Sequence, residues 1–257
     1  MELQGRTALI TGGNSGIGLA TARVMLAQGA RVAITGRDRA KLDEAAAELG
    51  GNVLALQADL NKPEDLAHVV RAVGAAFGTL DIVFANAGIA GPTPLGATTL
   101  ETFRNIVDTN LTSVFFTVQS VLPLLKDGSA IVLNGSVMRE LASAGSAAYS
   151  ATKAGVTSMA KVFATELAPR GIRVNTVIPG ATRTPIWTRG ARAGTTLDAT
   201  EERLAPRIPM GRLAEADEVA NAVLFLASPR ASGITAAEIV VDGGTTGAPW
   251  GSALYRA

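Results

Sequence analysis

The chain has 257 residues, 47% of them hydrophobic and 18% charged, which is enough apolar side chain to offset chain entropy by burial and excludes a disordered protein. With 23 basic residues against 22 acidic, a net charge of +1 and only 4% aromatics, no field or stacking surface for a polyanion exists, so no nucleic-acid partner is expected. Cysteine is absent and histidine occurs once, at His68, which removes disulfide scaffolds, thiol nucleophiles and zinc clusters; no metal is expected.

The amino end, Met1 to Arg6, lacks an apolar stretch before a small-residue cleavage site, and the longest charge-free run, Ile82 to Leu100, is broken by Gly and Pro. Neither a secretion signal nor a membrane span is predicted, and a soluble cytoplasmic protein is expected. An apolar strand over Thr7 to Thr11 leads into Gly12-Gly13-Asn14-Ser15-Gly16-Ile17-Gly18 and a helix over Ile17 to Gln28. A strand, a glycine turn and a helix in that order are what a pyrophosphate site needs: Gly12 makes the tight turn, Gly16 admits a close backbone approach, and Gly18 lets the helix pack. A mere tight turn is the plain alternative. A P-loop is excluded, because Leu19-Ala20 stand where Lys and Ser or Thr would follow Gly18.

The second strand, Arg31 to Thr35, ends at Gly36-Arg37, near where an acidic residue would take the adenine ribose of NAD. Gly36 removes that acid, and the Arg37 guanidinium can fork onto a 2′-phosphate, so NADP is favoured. The other reading leaves Arg37 solvated and gives an NAD ribose to Asp38. Helices are predicted over Arg39 to Leu49, Pro63 to Phe77, Thr99 to Leu125, Ala147 to Leu167 and Ala216 to Leu226, alternating with strands at Val53 to Gln57, Leu80 to Ala85, Ala130 to Asn134, Ile172 to Val177 and Glu238 to Val241. Seven strands alternating with helices predict an α/β fold, one Rossmann-like doubly wound parallel sheet with helices on both faces, and a single domain over 1–257.

His68, remote in sequence from every motif, reads as a surface residue. Phe115, Phe116, Val118, Val121, Leu122 and Leu125 are spaced as one helix face, for core or subunit contact. Tyr149 and Lys153, at i and i+4 of a predicted helix, share a face, and an adjacent ammonium favours phenolate, which a phenol of pKa about 10 otherwise resists at neutral pH. Ser136 follows the Ala130 to Asn134 strand, at the sheet edge where open α/β sheets bind ligands; its plain alternative is a turn serine. The irregular stretch Pro179 to Arg212 is too long for an ordinary connection, and 185–212 reads as a substrate lid. Its Arg183, Arg189 and Arg192 are explained as well by a solvated lid as by an anionic substrate.

Taken in order, these motifs resemble the short-chain dehydrogenase/reductase family along nearly the whole chain. The turn Thr11-Gly12 to Gly18 is similar to its cofactor turn, with Asn14, Ser15 and Ile17 lining it; Asp59-Leu60 resembles its adenine contact, and Asn86-Ala87-Gly88 its Asn-Ala-Gly turn. Asn110 falls on its helix asparagine, Ser136 lies thirteen residues before Tyr149 as its serine does, and Tyr149 to Lys153 matches its Tyr-x-x-x-Lys. Pro179-Gly180, followed by Thr182 and Thr184, is similar to the segment that holds the nicotinamide carboxamide. One departure is Ala85, where the family often has Asn before the Asn-Ala-Gly turn; packing is expected to feel it, not the reaction class.

The resemblance implies hydride transfer between NADP(H), with NAD the other candidate, and a ketone, aldehyde or alcohol. Tyr149 is the implied acid/base, Ser136 the hydrogen-bond donor to the substrate oxygen, and Lys153 the group that lowers the phenol pKa and holds the ribose. Asn110 is implied to place a water joining Lys153 to solvent. Val137, Met138, Leu141, Ala142, Ile186 and Trp187 are expected to shape the substrate pocket. The resemblance also implies a homotetramer, and the apolar tail, Ala248 to Tyr255, is expected to dock near a subunit interface. A non-catalytic cofactor-binding scaffold and a dehydratase or epimerase on the same scaffold remain the alternatives.

Overall fold

A computed structural model describes residues 1–50, 53–189 and 194–249. Its core is a seven-stranded sheet, β1 (Thr7–Ile10), β2 (Arg31–Gly36), β3 (Leu54–Gln57), β4 (Leu80–Ala85), β5 (Leu125–Asn134), β6 (Arg173–Pro179) and β7 (Glu238–Val241), in the order β3-β2-β1-β4-β5-β6-β7. Every neighbouring pair is parallel. The predicted doubly wound sheet is therefore what forms.

Strand residues alternate between two apolar layers because successive side chains leave opposite faces of a strand. Leu9, Val83, Ile131, Leu133 and Val174 pack on one side with α3 (Pro63–Phe77), α5 (Ser113–Val121) and α6 (Ala147–Leu167). On the other, Ala8, Ile10, Ile34, Phe84 and Val132 meet α1 (Gly16–Ala27), α2 (Arg39–Leu49) and α8 (Ala216–Ala227). Both faces are covered, which is why the strands are runs of Val, Ile and Leu without a polar face. The chain order reverses between β1 and β4, so their carboxyl ends diverge and open a crevice, the usual ligand position in such sheets.

Three stretches differ from the sequence expectation. The helix predicted over Thr99 to Leu125 is interrupted: α4 (Leu100–Val107) passes through a π-helical turn, Asp108–Thr112, into α5, and a 3₁₀ turn over Leu122–Leu124 ends it. Pro123 cannot continue an α-helix, since its ring displaces the carbonyl four residues earlier. Leu125 consequently starts β5, five residues ahead of the predicted strand, and the register between β4 and β5 shifts between Leu80 and Ile82. Within the predicted lid a short helix, α7 (Leu197–Leu204), forms behind Thr196, whose side chain accepts from the Ala199 amide. Hydrophobic periodicity is too weak to announce eight residues of this composition; the Thr cap and Asp198 in the first turn were the available signals.

Among the described residues no helix is long and apolar enough to cross a membrane. His68 is exposed on α3. The tail expectation falls on residues 250–257, outside the described ones.

Candidate active site

The glycine turn sits at the crevice, between the carboxyl end of β1 and the start of α1. Gly12 and Gly16 take φ of +63° and +54°, a region costly to residues with a Cβ. A Cβ on Gly18 would stand 2.4 Å from the Gly12 carbonyl oxygen, so this glycine lets the helix close on the turn itself. The side chain of Asn14 fills the space beside Gly36, 2.8 Å from where a Cβ would lie. Ser15 is the N-cap of α1, yet its side chain caps no amide and the first turn carries no acidic residue. The turn thus presents backbone amides and a partial positive charge to the crevice, a fit for a dinucleotide pyrophosphate.

The adenosine end differs from its NAD alternative. Asp38 spends its carboxylate as the N-cap of α2, accepting from the Lys41 amide at 3.2 Å, and that bond together with the Lys41 ammonium holds its pKa below the ordinary value. Arg37 is exposed and forms no ion pair with any carboxylate side chain, all of which lie among the described residues. Asp59 accepts from the Asn61 amide at 3.1 Å, and its own amide donates to Asp65, which shapes the loop carrying Leu60.

Beneath the turn runs a hydrogen-bond chain that sequence reasoning missed. Thr11 Oγ1 accepts from the amides of Asn86 and Ala87 at 2.9 and 3.0 Å, tying the end of β1 to the turn after β4. Asn86 Nδ2 donates to the Thr11 carbonyl at 2.9 Å, and Asn86 Oδ1 accepts from Asn134 Nδ2 at 2.8 Å. The Asn134 carbonyl in turn accepts from Lys153 Nζ at 2.7 Å. Asn134, the last residue of β5, thereby joins the glycine turn to Lys153. A polar residue closing an apolar strand just before Gly135-Ser136 was the signal in the sequence.

Tyr149 and Lys153 project from the same face of α6, with Nζ 5.8 Å from the phenol ring centroid. Lys153 is 4% exposed, and this burial, which disfavours the ammonium, pushes its pKa down to about 8. Ser136 is buried on extended backbone, where Oγ accepts from the Met138 amide at 3.2 Å. Among the described residues no acceptor takes the Ser136 hydroxyl proton. Gly88 keeps the fourth wall close, since a Cβ there would lie 3.3 Å from Asn110 Oδ1 and 3.7 Å from Lys153 Nζ.

Asn110 is held by its side chain. It lies in the π turn and is fully buried; Oδ1 accepts from the Ile89 amide and Nδ2 donates to the Ile89 carbonyl, both at 2.8 Å. Both polar ends of the side chain are engaged by backbone, so the Asn110 side chain clasps the loop after β4. The π turn supplies the bulge that lets the clasp reach.

The segment after β6 closes the crevice. The Gly180 amide donates to the Val241 carbonyl, and a Cβ on Gly180 would stand 2.7 Å from Asp242. Thr184 packs over the glycine turn, 3.1 Å from the Cβ position of Gly16. The Trp187 indole donates to the Thr182 carbonyl at 2.8 Å, which pins the start of the lid, with Ile186 half-buried beside it. Arg183 pairs with Asp198, Glu201 and Glu215, so it anchors α7; Arg189 reaches Ser15; Arg192 lies outside the described residues. Val137 is buried, whereas Met138 and Leu141 are half-buried and Ala142 exposed on the facing loop.

Comparison with known proteins agrees with this geometry. A family model described as enoyl-(acyl carrier protein) reductase matches residues 12–246. The 3-oxoacyl-[acyl-carrier-protein] reductase of Vibrio cholerae is 37% identical over 95% of this chain and 98% of its own length. A short-chain type dehydrogenase/reductase from Mycobacterium marinum superposes with a TM-score of 0.88 at 32% identity, over 96% of this chain and 97% of that one. This chain belongs to the short-chain dehydrogenase/reductase family. Another member, the 3-ketoacyl-(acyl-carrier-protein) reductase of Brucella melitensis, solved in complex with NADH, has a TM-score of 0.87 at 36% identity, covering 95% of this chain and 99% of that one. The family assignment makes this chain an oxidoreductase of the type that uses NAD(P)(H) on small molecules.

Proposed function

We propose that this short-chain dehydrogenase/reductase is an NADP(H)-preferring reductase of ketones or aldehydes and dehydrogenase of the corresponding alcohols, acting without a metal. The observation that carries the reading is the buried Lys153, on the same helical face as Tyr149 and held at 2.7 Å by the carbonyl of Asn134, two residues before Ser136 in the chain. Gly12, Asn14, Ser15, Gly16, Ile17 and Gly18 would hold the pyrophosphate side of the cofactor, Asp59 and Leu60 the adenine, and Thr182 and Thr184 the nicotinamide end. When bound, the nicotinamide supplies or accepts the hydride.

Tyr149 donates its phenolic proton to the carbonyl oxygen in reduction and recovers it in oxidation. Ser136 donates its hydroxyl proton to that same oxygen and stabilises the negative charge that develops there. Lys153, as an ammonium close to the ring, favours phenolate over phenol and lowers the cost of giving up the proton. Preference for NADP(H) is supported by Gly36 in place of an acid, by the unpaired Arg37, and by the commitment of Asp38 to capping α2.

The functional unit in this reading is one domain over 1–257 with a lid at 185–212, in a cytoplasmic homotetramer. Phe103, Phe115, Phe116 and Val162 are 38–52% exposed, an apolar surface on the α4–α6 side that a second copy would cover. The test is reduced-nicotinamide absorbance with a panel of ketones and alcohols, run with both cofactors. Turnover with NADPH on at least one ketone is expected; binding without any turnover would overturn the reading in favour of a scaffold.

A further inference from the structure

The lid is held to the glycine turn by one polar contact that the reaction does not require. Arg189, exposed and five residues beyond Thr184, points a guanidinium nitrogen at Ser15 Oγ across 3.3 Å. Both sides of that contact are positive. Ser15 opens α1, whose first turn has no acidic residue and whose amides are uncapped by its side chain, so the helix end carries a partial positive charge. Arg189 adds a full one.

No Asp or Glu neutralises it. Every Asp and Glu of the chain lies among the described residues, and none forms an ion pair with Arg189. Its neighbours are satisfied instead: Arg183 takes Asp198, Glu201 and Glu215, and Arg212 takes Glu218. Asp198 and Glu201 are therefore spent on Arg183, and of the described lid arginines without an ion pair, Arg189 is the one whose guanidinium reaches a helix N-cap. A cation in that position is unfavourable by itself and favourable once an anion lies against both. Packing sets the placement, because Thr184 rests on Gly16 and brings the following residues over the turn.

We infer that Arg189 is a binding residue for the dinucleotide pyrophosphate. Its guanidinium grips the phosphates from the lid side while the α1 amides hold them from below, a charge-assisted arrangement suited to a planar fork of donors. The inference rests on the dinucleotide reading above and adds a group that ties the segment 185–189 to cofactor occupancy. Arg37, at the end of β2, acts at the other end of the adenosine and reads the 2′-phosphate.

Calorimetric titration with NADPH and NADH separates these roles, because both cofactors carry the pyrophosphate and only one the 2′-phosphate. For R189A, affinity for both is expected to fall by a similar factor, about tenfold or more for one charged hydrogen-bonding group, with R189K recovering part of the loss. For R37A, NADPH is expected to weaken far more than NADH. Amide exchange of residues 185–189 should slow on NADPH binding in the wild type and not in R189A. Affinities within twofold of wild type for both cofactors in R189A would overturn the inference, as would a loss confined to NADPH. Wild-type protein that binds neither dinucleotide would overturn the dinucleotide reading itself, and the inference with it.

Discussion

Replacing Lys153 by Met separates the electrostatic cost of the lysine from its use. The drop in its pKa from 10.5 to about 8 corresponds to about 3 kcal/mol spent on burying the ammonium, at about 1.4 kcal/mol per tenfold change in proton affinity. Lys153→Met removes that cost and leaves the Asn134 carbonyl without its donor, a loss of roughly 1–3 kcal/mol for a buried polar group. The two nearly cancel, so stability at pH 7 is expected within about 2 kcal/mol of wild type, while kcat/KM falls about a hundredfold or more, as for loss of a group assisting proton transfer. The pH dependence carries the sign. Between pH 8 and 10.5 the unfolded chain still holds the proton that the folded one has lost, so wild-type stability rises with pH across that window. The penalty is fully present below about pH 8 and gone above 10.5. Urea unfolding of both proteins at equal concentration, at pH 7.5 and 10.5, should show wild type gaining about 3 kcal/mol on the variant. A flat difference, or a variant destabilised by more than about 3 kcal/mol at pH 7.5, would make the lysine a structural cation and refute the reasoning.

Tyr149→Phe is expected to keep the wild-type melting temperature and lose at least about nine-tenths of the rate on the best substrate, in keeping with removal of an essential acid/base; retained turnover above about a tenth would remove Tyr149 from that role. Gly18→Ala places a methyl 2.4 Å from the Gly12 carbonyl, and overpacking of this kind costs about 1–3 kcal/mol, so cofactor affinity and melting temperature should both fall. Light scattering should give a mass near four times 26.2 kDa, and Phe116→Asp should lower it; a wild-type monomer at micromolar concentration would contradict the assembly. Hydrogen exchange over 197–204 that ignores cofactor and substrate would show the lid to be passive.

Most of the candidate site's layout was legible in the sequence, because it depends on local spacing. Tyr149 and Lys153 share a face through helical periodicity alone, and Gly12, Gly16 and Gly18 mark a turn that only residues without a Cβ can make. Strands buried on both faces announce a parallel sheet by their unbroken apolar runs. Strand limits were less legible where tertiary pairing overrides periodicity: β5 extends back to Leu125 because β4 offers it a partner, and nothing in Leu125 to Ser129 itself alternates. The π turn at Asp108–Thr112 was illegible for a related reason, since it exists to let Asn110 reach a loop twenty-one residues away.

What the sequence by itself determined was the set of candidate site residues and the order of the scaffold, since both follow from spacings within one helix, strand or turn. Tertiary structure decided what each group is free to do. Asn110 became a clasp, Asp38 a helix cap and Asn134 the link from the glycine turn to Lys153, while Arg183 was saturated with carboxylates and Arg189 was set against Ser15 at the start of α1 with no Asp or Glu partner. The physical reason is that hydrogen-bond capacity and charge are local properties of a side chain, whereas their partners come from segments distant in the chain, and only folding brings the two together.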